Sequence, residues 1–199
     1  MQFTQTNKLM RQCLSKVEKY WQELGRYEAN AQKRNKALLP LYPSFIKLSG
    51  DAIAFSRFML ADIVKNKGCY LITYPNGTKK ELDPEGEFIP DKHAENRSIY
   101  EDFQNHFHLE GSFIGFDNYE IGVLITGLGI IEVLCLKLKS NYPNEHFLVS
   151  LSYPVKPWEK NEDNVFCDCR ISFNAVRDDE TVFGDIEKFE LEAMGIIEW

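Results

Sequence analysis

The sequence predicts an α+β fold: an antiparallel sheet packed against several helices, with a long N-terminal amphipathic helix. Three observations predict it. Met10, Cys13, Val17, Tyr20, Leu24, Tyr27 and Ala31 follow alternating three- and four-residue steps, the seam of a helix. Phe147, Val149, Leu151 and Tyr153 alternate with Leu148, Ser150 and Ser152, and Val165, Cys167, Cys169, Ile171 and Phe173 alternate in the same way. That period of two belongs to strands with one buried face. At 199 residues with 44% apolar residues, the chain is long enough to bury a core without disulfide or metal staples.

The elements follow in order. Leu14 and Trp21 widen the N-terminal seam, which favours packing on a domain over a bare coiled coil. Pro40 and Pro43 stop that helix, so residues 1–40 form it and residues 41–199 form the α+β domain, as one folded unit. A second helix is expected over residues 51–65, with Gly68 as its stop signal. Residues 69–74 read as a strand, and Pro75-Asn76-Gly77 as a turn into a return strand at 78–82. Ser98 is placed to cap a helix over 99–109 that buries Ile99, Phe103 and Phe107.

The stretch 117–141 supports two readings. As a hairpin it would turn at Thr126-Gly127-Leu128-Gly129. As a helix, Asp117 to Glu120 resembles a capping box, and Ile121, Leu124, Leu128, Ile131 and Leu138 share a face. The long one-sided stripe selects the helix. The tail from Asp185 reads as a short helix ending in Ile196-Ile197-Glu198-Trp199.

No motif nominates a catalytic residue, cofactor or metal. Cys167 and Cys169 are one residue apart on an extended segment, where zinc half-sites space cysteines by two to four with a second pair elsewhere. They read as small core residues. His106 and His108 flank Phe107, with Glu110 beyond; on the expected helix they splay around the axis. Gly127-Leu128-Gly129 lacks the third glycine and the strand–helix–strand setting of a dinucleotide site. Adjacent acids such as Glu101-Asp102 and Asp178-Asp179 read as solvated.

Charge is unevenly spread. Residues 1–57 carry ten Lys/Arg and four Asp/Glu, whereas residues 159–199 carry four and twelve. The net charge is −7, with a pI near 5.2. That argues against nucleic acid and for a basic protein partner. The basic N-terminal part lying against the acidic C-terminal part is the alternative use of the same asymmetry. The longest apolar run, residues 121–136, contains Glu132 and falls short of the roughly 20 residues a membrane span needs. Five scattered cysteines and a start without an apolar leader point to the cytoplasm.

At the level of class, this small, acidic, motif-free profile resembles bacterial immunity and inhibitor proteins, which bind and neutralise a basic toxin or enzyme. The resemblance implies a non-catalytic acidic surface. Its candidate residues here are Trp158, Glu159, Glu162 and Asp163 in the 156–163 loop, Asp178, Asp179 and Glu180, and the terminal Trp199. Two other expectations stand beside it: a hydrolase or transferase whose site is assembled from distant residues, and an oligomerisation module using the N-terminal helix.

Overall fold

A computed structural model describes residues 3–34, 61–73, 88, 90, 94–109, 119–154, 169–190 and 192–199. The elements run β1 (Gln5–Thr6), α1 (Lys8–Arg34), β2 (Asp62–Asn66), β3 (Cys69–Thr73), α2 (Arg97–Gln104), β4 (Phe107–Leu109), α3 (Tyr119–Asn141), β5 (Phe147–Pro154), β6 (Cys169–Ala175), a 3-10 turn (Ile186–Lys188) and β7 (Glu192–Glu198). Five strands form an antiparallel sheet in the order β1-β7-β5-β6-β4; β2 and β3 form a separate hairpin. The fold is therefore α+β.

One core holds these elements together. Met10, Cys13 and Val17 of α1, Leu134 and Leu138 of α3, and Phe147, Val149, Leu151, Ile171 and Phe173 of the sheet form one buried cluster. Side-chain packing along α1 is described to Tyr20 and at Gln22; the seam positions Leu24, Tyr27 and Ala31 lie outside the described side chains. Helix α3 crosses the sheet closely at Gly127, where a Cβ would lie 3.0 Å from Cys169 Sγ and from Leu151 Cδ1. Two of the glycines that favoured a hairpin, Gly122 and Gly129, have open space beside them. The helical reading of 117–141 is the one observed, and the capping-box residues Asp117 and Asn118 lie outside the described residues.

Several boundaries differ from expectation. The N-terminal helix does not occupy residues 3–7: Gln5–Thr6 is a strand, and Asn7 caps α1 by accepting the Met10 amide at 2.9 Å. Residues 62–65 are strand and not helix, while 51–60 lie outside the described residues. Gly68 is no helix stop but the second residue of a two-residue turn. Lys67 and Gly68 both have positive φ (52° and 75°) between the paired Asn66 and Cys69, the geometry that matches hairpin twist. Strand β3 thus pairs with the segment before it; the expected return strand at 78–82 is outside the described residues.

Helix α2 is capped by Asn96, not Ser98, and ends at Gln104, so residues 107–109 are strand. Ser98 is committed elsewhere, its hydroxyl lying 3.0 Å from the Ala175 carbonyl and 2.6 Å from Glu180 Oε2. The helix buries Ser98, Glu101 and Asp102 and leaves Phe103 55% exposed, the reverse of the expected apolar face. The tail holds a single 3-10 turn, and residues 192–198 form a strand between β1 and β5. Its alternation is hidden in the sequence because both faces are covered: Ala193 and Ile197 join the main core, and Met194 and Ile196 join a second cluster with Ile186.

Candidate functional site

The segment leaving β6 was a candidate partner surface. It is a tight turn whose ends point in and whose tip points out. Arg177 Nη2 donates to Glu101 Oε1 at 2.6 Å and to the Gly68 carbonyl at 2.8 Å. Glu180 Oε2 accepts the Ser98 amide at 2.8 Å and the Ser98 hydroxyl at 2.6 Å, and its side chain is only 12% exposed. Asp178 and Asp179, between these two anchors, are exposed. Glu180 therefore leaves the acidic surface that the sequence assigned to it, because the start of α2 offers it an amide and a hydroxyl.

Glu101 is the centre of this network and is 0% exposed. Its carboxylate accepts the Tyr70 amide at 2.8 Å, the Ala175 amide at 2.6 Å and two guanidinium contacts from Arg177. Four donors fill the lone-pair sites of one carboxylate. Burial pushes the Glu101 carboxyl up, against the pull of Arg177 and the two amides. Burial also pushes up Glu180, but the Ser98 hydroxyl and amide with Arg177 outweigh it, so Glu180 lies below the usual carboxylate range. Burial, with Glu101 adding to it, raises the Cys69 thiol to about 11, which leaves it protonated and inert at neutral pH.

One helical turn on, Asn105 repeats the pattern. Its Nδ2 donates to the Tyr70 carbonyl (2.8 Å) and the Phe173 carbonyl (3.0 Å), and its Oδ1 accepts the Ile72 amide (2.9 Å). Glu101 and Asn105 so occupy the gap between the edge of β3 and the edge of β6 beyond β4, as a strand would. Asp102 accepts from Arg170 Nη2 at 2.5 Å and from the Ser172 hydroxyl, which itself meets Ser150 Oγ at 2.7 Å. The reading of Glu101-Asp102 as solvated acids is thus corrected: both are buried because the sheet edge supplies donors. Nothing in the sequence flags Glu101, Asn105 and Arg177 as a set; only the i, i+4 spacing of the first two hints at a shared face.

The other candidates are placed as follows. Trp199 is half-buried, 6.2 Å from the Phe147 ring, with Lys139 Nζ 4.8 Å above it; its amide and carbonyl pair with Phe147. It docks the tail. Trp158, Glu159, Glu162 and Asp163 lie outside the described residues, as does Cys167. Their loop is rooted at Pro154 and Cys169, whereas Asp178, Asp179 and Trp199 follow the opposite ends of β6 and β7. Seven residues of β5 separate these ends, roughly 23 Å at about 3.3 Å per residue. The described residues bring Asp178, Asp179, Glu198 and Trp199 to one end of the sheet.

His108 lies on β4, opposite Arg170, with His106 just before it; their rings are 5.0 Å apart, and Glu110 is outside the described residues. This replaces the splayed helical arrangement. Among the described residues no group of His, Cys, Asp and Glu could hold a metal ion. Cys13, Cys69, Cys135 and Cys169 are buried and not disulfide-bonded, and Cys169 faces the core as its alternation required. Basic and acidic segments do meet within the chain, where Glu187 pairs with Arg11 at 2.9 Å and accepts the Lys8 amide at the start of α1.

Fold and site together define a class: an α+β protein with an antiparallel five-stranded sheet and an acidic turn at one end. No helix among the described residues is long and apolar enough to cross a membrane. No family model, curated protein or solved structure matches the chain.

Proposed function

We propose that the chain is a non-catalytic protein-binding protein of the immunity or inhibitor type, which binds and neutralises a basic toxin or enzyme. The observation that carries this reading is the fixed presentation of Asp178 and Asp179: Arg177 and Glu180 on either side are tied to Glu101 and Ser98. A tip held this way loses little conformational entropy when it meets a cationic partner, and its field steers approach. Glu198, exposed at the same end of the sheet, adds to that field. The function needs no cofactor, and buried cysteines without a disulfide among the described residues suit a reducing cytoplasm.

The test is affinity capture from the native host, identification of the bound protein by mass, and stopped-flow association with the purified pair. The association rate should fall as salt rises, and Asp178→Lys with Asp179→Lys should slow it about ten-fold. A captured partner that associates equally fast with the charge-reversed protein, or that is itself acidic, removes this reading.

A further inference from the structure

A second surface lies on the other side of the sheet from the Ile186 cluster. Helices α1 and α3 both run toward the Trp199 end: α1 starts beside Met194 and reaches Ile197 near Val17, while α3 passes Leu151 at Gly127 and reaches Trp199 at Lys139. Between them is an open cleft of about 490 Å³. Its walls are Leu14 and Val17 of α1, Ile125, Leu128 and Gly129 of α3, and Ile197 of β7. From Gly122 to Ile131 helix α3 carries no charge on any side, a pattern that belongs to a helix segment covered all round. Its inner face is covered by the core. Its outer stripe runs from Gly122 through Ile125, Gly129 and Glu132 to Leu136, which is 62% exposed.

The charged side chains nearest the cleft are acidic, and Lys139, two turns beyond Glu132 on the same stripe, is turned to the Trp199 ring. Glu132 lines it and is exposed; Glu18, one turn on from Leu14 on the same side of α1, is exposed too. The cation on that side, Arg11, is held by Glu187 and by the Thr6 carbonyl. Lys8, Lys16 and Lys19 fall on other sides of α1. The geometry points to a basic amphipathic helix as the occupant. We propose that such a helix, belonging to a partner protein, lies between α1 and α3. Its apolar anchors at i, i+3/i+4 and i+7 fill the cleft, and its Lys or Arg side chains meet Glu18 and Glu132. Beside Phe3 and Thr6 of the N-terminal strand segment, which also line the cleft, the two helix walls offer side-chain grooves that suit an incoming helix. Gly129 leaves room for an anchor: a Cβ there would have no atom within 4 Å. This surface is independent of Asp178 and Asp179.

The probe is a fluorescent designed peptide of about five helical turns with Leu on one face and Lys elsewhere, set against a counterpart with Glu for Lys. Binding is read by anisotropy on the intact protein. The Leu/Lys peptide should bind, and Gly129→Phe, which adds a side chain on the cleft wall where a Cβ meets no atom, should weaken it at least ten-fold without lowering the melting temperature. Glu18→Lys with Glu132→Lys should weaken it similarly and admit the Leu/Glu peptide. Asp178→Lys with Asp179→Lys should leave it unchanged. Four results would overturn the proposal: equal binding of the Leu/Glu peptide to wild type, equal binding to Gly129→Phe, loss of binding only in the Asp178/Asp179 variant, or a wild-type dimer that Gly129→Phe abolishes, which would make a second copy the occupant.

Discussion

The two long edges of the five-stranded sheet face the same problem and answer it with different chemistry. Beyond β1 and β4, which are short, β7 and β6 would present unpaired amides and carbonyls, an invitation to aggregation. On the β7 side, neutral side chains of the N-terminal strap close the edge. Asn7 Oδ1 accepts the Met194 amide at 3.0 Å, Asn7 Nδ2 donates to the Glu192 carbonyl at 2.8 Å, and Thr4 Oγ1 accepts the Glu198 amide at 3.1 Å. Phe3 lies over Gly195, so close that a Cβ there would come within 2.6 Å of its ring. On the β6 side, a buried carboxylate and an amide from a helix do the work and tie in a second sheet as well. The neutral edge can fray one bond at a time. The charged edge is all-or-none, because Glu101 and Arg177 each strand the other when removed.

The largest effect expected from this difference is at Glu101. Glu101→Ala leaves Arg177 buried without its counter-charge and two amides without acceptors, and should cost about 3–5 kcal/mol. Urea unfolding measures the loss, and hydrogen exchange should show the Tyr70 and Ala175 amides losing protection beyond the global change. Glu101→Met combined with Arg177→Met removes both charges. It should recover only part of the loss, since the two amides stay unpaired; full recovery would mean that the edge is held by packing and not by the carboxylate.

Asn7→Ala tests the neutral edge. It removes the cap of α1 and opens two edge positions on β7, at a cost of about 2 kcal/mol. The expected exchange pattern is local: Met10 and Met194 lose protection, while Tyr70 and Ala175 keep theirs. A loss as large as that of Glu101→Ala would erase the distinction between the edges.

What could be read in advance follows the same divide. Where burial is apolar and one-sided, as in β5 with Phe147, Val149 and Leu151, the strand shows in its alternation. The seam of α1 through Met10, Cys13 and Val17 and the buried face of α3 are legible for the same reason. Where an element is held by polar groups or carries apolar residues on both faces, periodicity fails. Helix α2 turns Ser98, Glu101 and Asp102 inward because β3 and β6, elements about 30 to 75 residues away in sequence, offer donors to the two carboxylates and a carbonyl to the Ser98 hydroxyl. Strand β7 carries apolar residues on both faces, so Met194-Gly195-Ile196-Ile197 has no period to find. The acidic turn was half legible: its composition marks Asp178 to Glu180, but only the fold separates the two acids that face solvent from the one that anchors them.

Glu180 gives the smallest effect and the clearest sign. Its folded value lies below the usual carboxylate range, so as pH falls the unfolded chain takes up the proton first. The stabilisation is complete above the unfolded value of about 4.3 and is lost as pH drops through the lower folded value. Glu101 acts oppositely: its raised value means that the folded chain binds the proton more firmly, so its own contribution rises as pH falls toward about 4.3. The two therefore work on different sides of that value, and a stability profile of wild type alone mixes them. The difference between wild type and Glu180→Gln isolates one. It should be constant above about pH 5 and close as pH falls through the lowered folded value, where Glu180 in wild type becomes neutral. A difference that ignores pH would mean that Glu180 holds the Asp178–Asp179 tip by shape alone, and that the charge at this corner of the charged edge resides in Glu101 and Arg177.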